Sequence, residues 1–198
     1  MPFRAAFTLL AHLISLVLLS TPALVDAHID TVSTLTYHKT RLTHWTIHGA
    51  IAARHLKKNW AASIIWRQQG PNVYTMRLFG PLSTNTVILQ KNHQRTVLSN
   101  GHETRESHND MALLQHETGI KLPLHHLYFW VRGLTSPHGT QAVDLKYATN
   151  GDLIEFSQDR FVVKFTEYML VNALRLPKKI QITHPSGMVK LSIHHWNP

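Results

Sequence analysis

Apolar residues recur at every second position from His44 to His55, where Trp45, Ile47, Gly49, Ile51 and Ala53 share one face. That period is the mark of a strand with one buried side. Lys57-Lys58-Asn59 predicts a turn, and Trp60 to Gln69 runs back with Ala62, Ile64 and Trp66 in step. Gly70-Pro71-Asn72 predicts a second tight turn, into a third strand over Val73 to Phe79. Thr86 to Gln90 and Thr96 to Leu98 read as the fourth and fifth strands of an antiparallel meander.

The period then changes. Ser107 to Thr118 opens on a capping residue, carries Asp110 in its first turn and Met111, Leu113 and Leu114 behind it, and predicts a short helix ending near Gly119. Pro123 to Gly133 starts with a proline suited to a helix N-terminus and places Leu124, Leu127, Tyr128 and Val131 at helical spacing. After a Pro/Gly/Ser stretch over Thr135 to Thr140, five more strands are predicted. They are Ala142 to Ala148, Leu153 to Ser157, Phe161 to Thr166, Ile180 to Thr183 and Met188 to Trp196, with Asn150-Gly151 and Ser186-Gly187 as hairpin turns. Ahead of all this, His28 to Arg41 loosely fits an amphipathic helix with several threonines against it.

Strands in two runs with helices between them predict a mainly β, single-domain fold. It is an incomplete, unclosed antiparallel β-barrel with helices packed inside its concave face. A length of 198 residues fits one domain, and 43% hydrophobic residues suffice for a core. Met1-Pro2-Phe3-Arg4, the apolar run from Ala5 to Leu19 and the small residues up to Ala27 predict a signal peptide over residues 1–27, with residues 28–198 as the exported domain. An uncleaved inner-membrane anchor is the alternative. With no Cys anywhere there is no disulfide, thiolate site or S-linked lipid. A net charge of +9 calls for an anionic partner, and sixteen histidines add to it in mild acid. Export argues against nucleic acid, and aromatics do not interleave with the basic clusters as a stacking platform requires.

Catalytic constellations are thin. Glu103, Glu106 and Asp110 lie in a polar stretch, and no nucleophile-elbow, zinc-protease or phosphate-loop motif occurs. His44 with His48, His125-His126 and His194-His195 are the only ligand-like pairs, and none has a carboxylate at metal spacing. The expectation is a protein with no enzymatic step, no cofactor and no metal. The most informative local feature is Phe79-Gly80-Pro81-Leu82-Ser83-Thr84, a strand connection whose Gly-Pro pair favours projection. A lone loop leucine more often folds back onto the core. The functional reading of Leu82 is an exposed apolar finger that touches acyl chains or a membrane.

Three runs then follow in one order: Trp45-x-x-x-Gly49-x-Ile51-Ala52, Ala62-Ser63-x-x-Trp66-Arg67-Gln68, and Tyr74-x-Met76-x-Leu78-x-Gly80-Pro81-Leu82. Gly119-x-x-Leu122-Pro123-x-x-x-Leu127-x-x-Trp130-x-x-Gly133-Leu134, Gly151-x-Leu153, Leu176-Pro177-x-x-Ile180 and Trp196 complete the series. It resembles the outer-membrane lipoprotein receptor LolB family across roughly residues 44 to 196.

The resemblance implies the same unclosed barrel, with an apolar cavity that accepts acylated lipoproteins from the periplasmic carrier LolA. It implies that this monomeric chaperone inserts them into the outer membrane from its inner, periplasmic face. It also implies a membrane-insertion loop at Gly80, Pro81, Leu82 and Ser83, centred on Leu82. The candidate cavity wall is Ile47, Ile64, Trp66, Met76, Leu78, Leu127 and Trp130, which the sequence alone does not separate from plain core. A binding module for lipid or lipopeptide without insertion activity is the alternative. Two departures stand out. The family is normally anchored by a lipidated Cys that this chain lacks, and Gly80 and Ser83 differ from the residues usual beside the Pro-Leu pair. Attraction of the basic chain to anionic head groups is the expected substitute for the missing anchor.

Overall fold

In the computed structural model, which describes residues 36–55, 58–80, 86–119 and 121–198, the first alternating segment becomes β1 (His44–His55). Trp45, Ile47, Ile51 and Ala53 are buried, and the residues between them face outward or lie half-buried. β2 (Lys58–Gln69) and β3 (Val73–Phe79) continue the same inner face through Ala62, Ile64, Trp66, Tyr74, Met76 and Leu78. β4 (Thr86–Asn92), β5 (Arg95–Ser99) and β6 (Thr104–Ser107) complete the first meander. A second meander is built from β7 (Val143–Tyr147), β8 (Leu153–Gln158), β9 (Phe161–Val171), β10 (Leu174–His184) and β11 (Gly187–Asn197).

The spatial order is β6-β5-β4-β3-β2-β1-β11-β10-β9-β8-β7, all antiparallel, so β1 and β11 meet in the middle and β6 and β7 are the free edges. The eleven strands do not close into a barrel. The predicted fold class is what is observed. At the seam the register slips between His48 and Gly49. A Cβ on Gly49 would collide with the Ser192 carbonyl oxygen, so only glycine lets β1 and β11 approach there. Trp45 anchors the lower end of the seam, with the Trp66 ring at 4.9 Å and the Trp196 ring at 5.4 Å, both edge-on.

Residues 36–41 are helical (α1); residues 1–35, on which the signal-peptide reading and most of the first helix fall, lie outside the described residues. Helix α2 (Asp110–Thr118) is capped by Asn109, whose Oδ1 accepts the Ala112 N–H at 3.0 Å. The expected cap at Ser107 is corrected: Ser107 ends β6, a Thr-Arg-Glu-Ser strand with no apolar residue and therefore no periodic signal. Helix α3 (Leu124–Trp130) buries Leu124, His126, Leu127, Tyr128 and Trp130 in the concave face. Lys58 and Asn59, expected in a turn, already belong to β2. β9 and β10 run longer than predicted, because Pro177 masks a strand whose register slips just after it.

Candidate lipid-binding interior

The seven residues picked as cavity wall are all 0–3% exposed and belong to one apolar cluster fed by both meanders. Ile47, Ile64, Trp66, Met76 and Leu78 come from β1 to β3, and Leu127 and Trp130 from α3. Here they pack side chain against side chain, with α3 filling the hollow of the sheet. The Trp130 ring lies 6.0 Å from Phe156 and 5.6 Å from Phe161, and stacks on His126 at 5.1 Å. A guest chain enters this space only if α3 moves away from the strands.

What holds α3 in place is polar and was not legible beforehand. Gln158, buried on β8, accepts from Trp130 Nε1 at 3.1 Å and from the Ser136 N–H at 3.1 Å. Its amide donates to the carbonyls of Ser136 and Thr140 at 2.7 and 2.9 Å. Asp159 next to it accepts the Thr140 N–H at 2.8 Å. One Gln-Asp pair thus ties the stretch after α3 down over the interior. Arg132, 1% exposed, donates through Nη1 to the carbonyls of Lys39 and Leu42 at 3.1 and 2.9 Å, and through Nε to Tyr128 at 2.9 Å. Its guanidinium sits 4.0 Å from the Tyr128 ring, and burial holds its pKa below the usual arginine value.

A hollow of about 310 Å³ opens beside α3, lined among others by Lys39, Phe129, Leu134, Pro137, Tyr147 and Leu153. Next to it Asp152, 1% exposed, receives Arg175 Nε at 2.6 Å and lies 3.5 Å from Lys39 Nζ. Burial depresses the Lys39 pKa, against the pull of Asp152. Tyr168 donates to the Leu153 carbonyl at 2.6 Å, and burial followed by Asp152 raises its pKa. Asp152 directly follows the Asn150-Gly151 turn and is not singled out by its sequence pattern; an acid flanking buried β8 is the available signal. On edge strand β7 the side chains of Val143, Leu145 and Tyr147 are exposed. Of the predicted insertion loop, Gly80 follows the end of β3, with open space where a Cβ would stand. Pro81, Leu82 and Ser83 lie outside the described residues.

A histidine cluster sits by α3. His126 Nε2 meets Asp159 Oδ2 at 2.8 Å, its ring lies 4.0 Å from that of His125, and His138 lies 6.3 Å from His125. Burial, then His125 and His138, lowers the His126 pKa despite Asp159. Burial, His138 and Lys91 lower that of His125 despite Asp110 and Asp159. Between the lowered folded values and about 6.5, the unfolded chain binds more protons than the folded one. Stability is therefore full above about pH 6.5 and falls as pH drops below it. Thermal unfolding followed from pH 8 to 5 should show a falling midpoint, with a shallower slope in His125→Gln/His126→Gln.

These features place an apolar interior under a latched helix. A protein-family model described as "Outer membrane lipoprotein LolB" matches residues 43–196. The chain belongs to the LolB family. Among its curated relatives, the outer-membrane lipoprotein LolB of Coxiella burnetii (strain RSA 493 / Nine Mile phase I) is 29% identical over 161 residues, covering 81% of this chain and 75% of that protein. The LolB of Pseudomonas syringae pv. syringae (strain B728a) is 32% identical over 167 residues, covering 81% and 79%. Among solved structures, a LolA superfamily protein from Nitrosomonas europaea superposes with a TM-score of 0.52 at 7% identity, over 86% of this chain and 92% of that one. That likeness is one of fold. No helix among the described residues is long and apolar enough to cross a membrane.

Proposed function

We propose that this chain is a lipoprotein-transfer chaperone without an enzymatic step. It accepts acylated lipoproteins from a LolA-like periplasmic carrier and releases them into the outer membrane from the periplasmic side. The supporting observation is a family match over nearly all of the described sheet, whose concave face is mainly apolar and packed against α2 and α3. Each acyl methylene hidden from water is worth about 0.8 kcal/mol, so a lipidated protein needs such a shelter to cross an aqueous gap. In this reading α3 withdraws, and Ile47, Ile64, Trp66, Met76, Leu78, Leu127 and Trp130 change from core into cavity wall. The transfer runs downhill when each successive site holds the chains better, with neither nucleotide nor metal. The chain acts as a monomer, exported through residues 1–27.

Leu82 is the proposed membrane-insertion residue, flanked by Gly80, Pro81 and Ser83. The test is Leu82→Glu in a reconstituted transfer from carrier to vesicles. Release into membranes should fall at least tenfold while co-purification with lipoprotein is retained. Unchanged release would remove the insertion role. Cargo binding by the unaltered chain with no release at all would favour the simple lipid- or lipopeptide-binding module.

A further inference from the structure

Acidic residues are distributed unevenly over the sheet. Seven adjacent strands, β5-β4-β3-β2-β1-β11-β10, carry no Asp or Glu; Glu106, Glu167, Glu155 and Asp144 lie on β6, β9, β8 and β7 toward the two edges. Several bases of the acid-free strands reach neighbours outside them. Lys91 pairs with Asp110 of α2, Arg95 with Glu106, Arg175 with Asp152, and Lys178 and Lys179 with Glu167. Arg54, Arg67, Arg77 and Lys190 are exposed on the outward face, and among the described residues none has a carboxylate partner.

The register maps this face. Arg67 of β2 stands opposite Thr46 and Thr75, and Arg77 of β3 opposite Ile65 and Ile88. Both arginines line an open concavity of about 600 Å³ with His48, Thr46, Thr75 and Gln90. Toward the other end, Lys190 faces Ala52, and Arg54 faces Asn59 and Met188. Both line a second concavity of about 370 Å³. Between the two pairs, β1, β2 and β11 present small outward side chains, Ala50, Ala52, Ala61, Ser63 and Ser192, with Phe79 of β3 beside Ser63. The four cations spread over about 26 Å along the strands and about 14 Å across them.

We infer that this outward face is a docking surface for an anionic phospholipid membrane. Positive charge is spread in two dimensions with mostly small residues between, which matches a layer of head groups better than a single narrow ligand. The long stems of arginine and lysine reach past those small residues to bring the charges to phosphate level. Strand β3 ends at Phe79, opposite Ser63, between the Arg77 row and the Lys190 row. β3 therefore ends at the border of the patch, two residues past Arg77. The chain has no Cys to carry a lipid, so charge attraction supplies a hold on the membrane that does not need one. The inference concerns attachment alone and stands whether or not the chain transfers lipoproteins.

The test is co-sedimentation of the chain, as recovered from expressing cells, with vesicles of phosphatidylcholine alone or with phosphatidylglycerol as roughly one third of the lipid. Each base near an anionic surface contributes about fivefold in partition. The chain should prefer the anionic vesicles at least tenfold, and Arg67→Glu/Arg77→Glu should abolish that preference. Lys121→Glu/Arg160→Glu, with the same change in net charge away from the face, should keep most of it. Tryptophan fluorescence and thermal unfolding check that both variants fold; if the first does not, Arg54→Gln/Lys190→Gln replaces it. Equal sedimentation with both vesicles, no sedimentation, or equal loss in both double variants would overturn the inference. Binding to an acidic protein but not to anionic vesicles would overturn it in favour of a protein partner.

Discussion

Arg132→Ala lowers the stability of the fold by about 3–5 kcal/mol, read as the shift of the urea unfolding midpoint. The guanidinium is buried and, among the described residues, pairs with no carboxylate; backbone carbonyls and the Tyr128 ring stabilise its charge instead. Hydrogen bonds to a charged donor contribute about 1.5–3 kcal/mol each, and their removal leaves buried carbonyls with fewer donors. Two of those carbonyls, of Lys39 and Leu42, belong to the segment leading into β1, while Tyr128 belongs to α3. The loss is therefore also local. Hydrogen exchange in residues 36–43 should rise well above that of β1 to β3. Lysine in place of Arg132 does not restore stability, because one ammonium cannot reproduce a fork that spans two segments. A destabilisation below about 1 kcal/mol would mean that water replaces the guanidinium and that the latch is dispensable.

Trp130→Ala costs a further large amount, about 3–5 kcal/mol, from lost contacts and the cavity left behind. The ring fills the space between Phe156, Phe161 and His126, and its Nε1 holds Gln158. Phe in its place keeps most of the volume but leaves Gln158 Oε1 with one donor fewer, so Trp130→Phe should cost about 1–2 kcal/mol. The comparison also bears on function. If the interior opens to admit acyl chains, the alanine variant should bind a fluorescent fatty acid more tightly per folded molecule than the unaltered chain. Both costs coming out equal would show that the hydrogen bond, not the ring, holds the helix.

The strands of the first meander were legible because Trp45, Ile47, Ile51, Ala53 and their partners alternate without interruption. The inner face of α3 was legible through the helical spacing of Leu124, Leu127 and Tyr128, continued by Val131 at its C-cap. What escaped was set by tertiary contact. β6 has no apolar residue and pairs only because β5 offers an edge. β10 contains Pro177, which argues against a strand until the register slip beside it is known. Gln158, Arg132 and Asp152 look like ordinary polar residues in sequence. Each became structural only when the chain brought it under a neighbour 18 or more positions away, as Gln158 meets Thr140 and Arg132 meets Leu42. The apolar wall residues were found, but alternation reports only burial. It cannot separate a surface that hides from water permanently from one that hides until a guest arrives.

The meeting of β1 and β11 in the middle of the sheet has a consequence for how the chain assembles. Within each meander every pairing joins strands that follow one another in sequence, so those hairpins close over short loops at small entropic cost. Among the strand pairings, the seam alone joins residues more than a hundred positions apart, such as Ile51 and Leu191. The segment holding α2 and α3 must also cross from one free edge to the other through the interior. Two locally formed halves, joined by a helical strap and zipped last along a glycine-softened line, describe the order of events this connectivity favours.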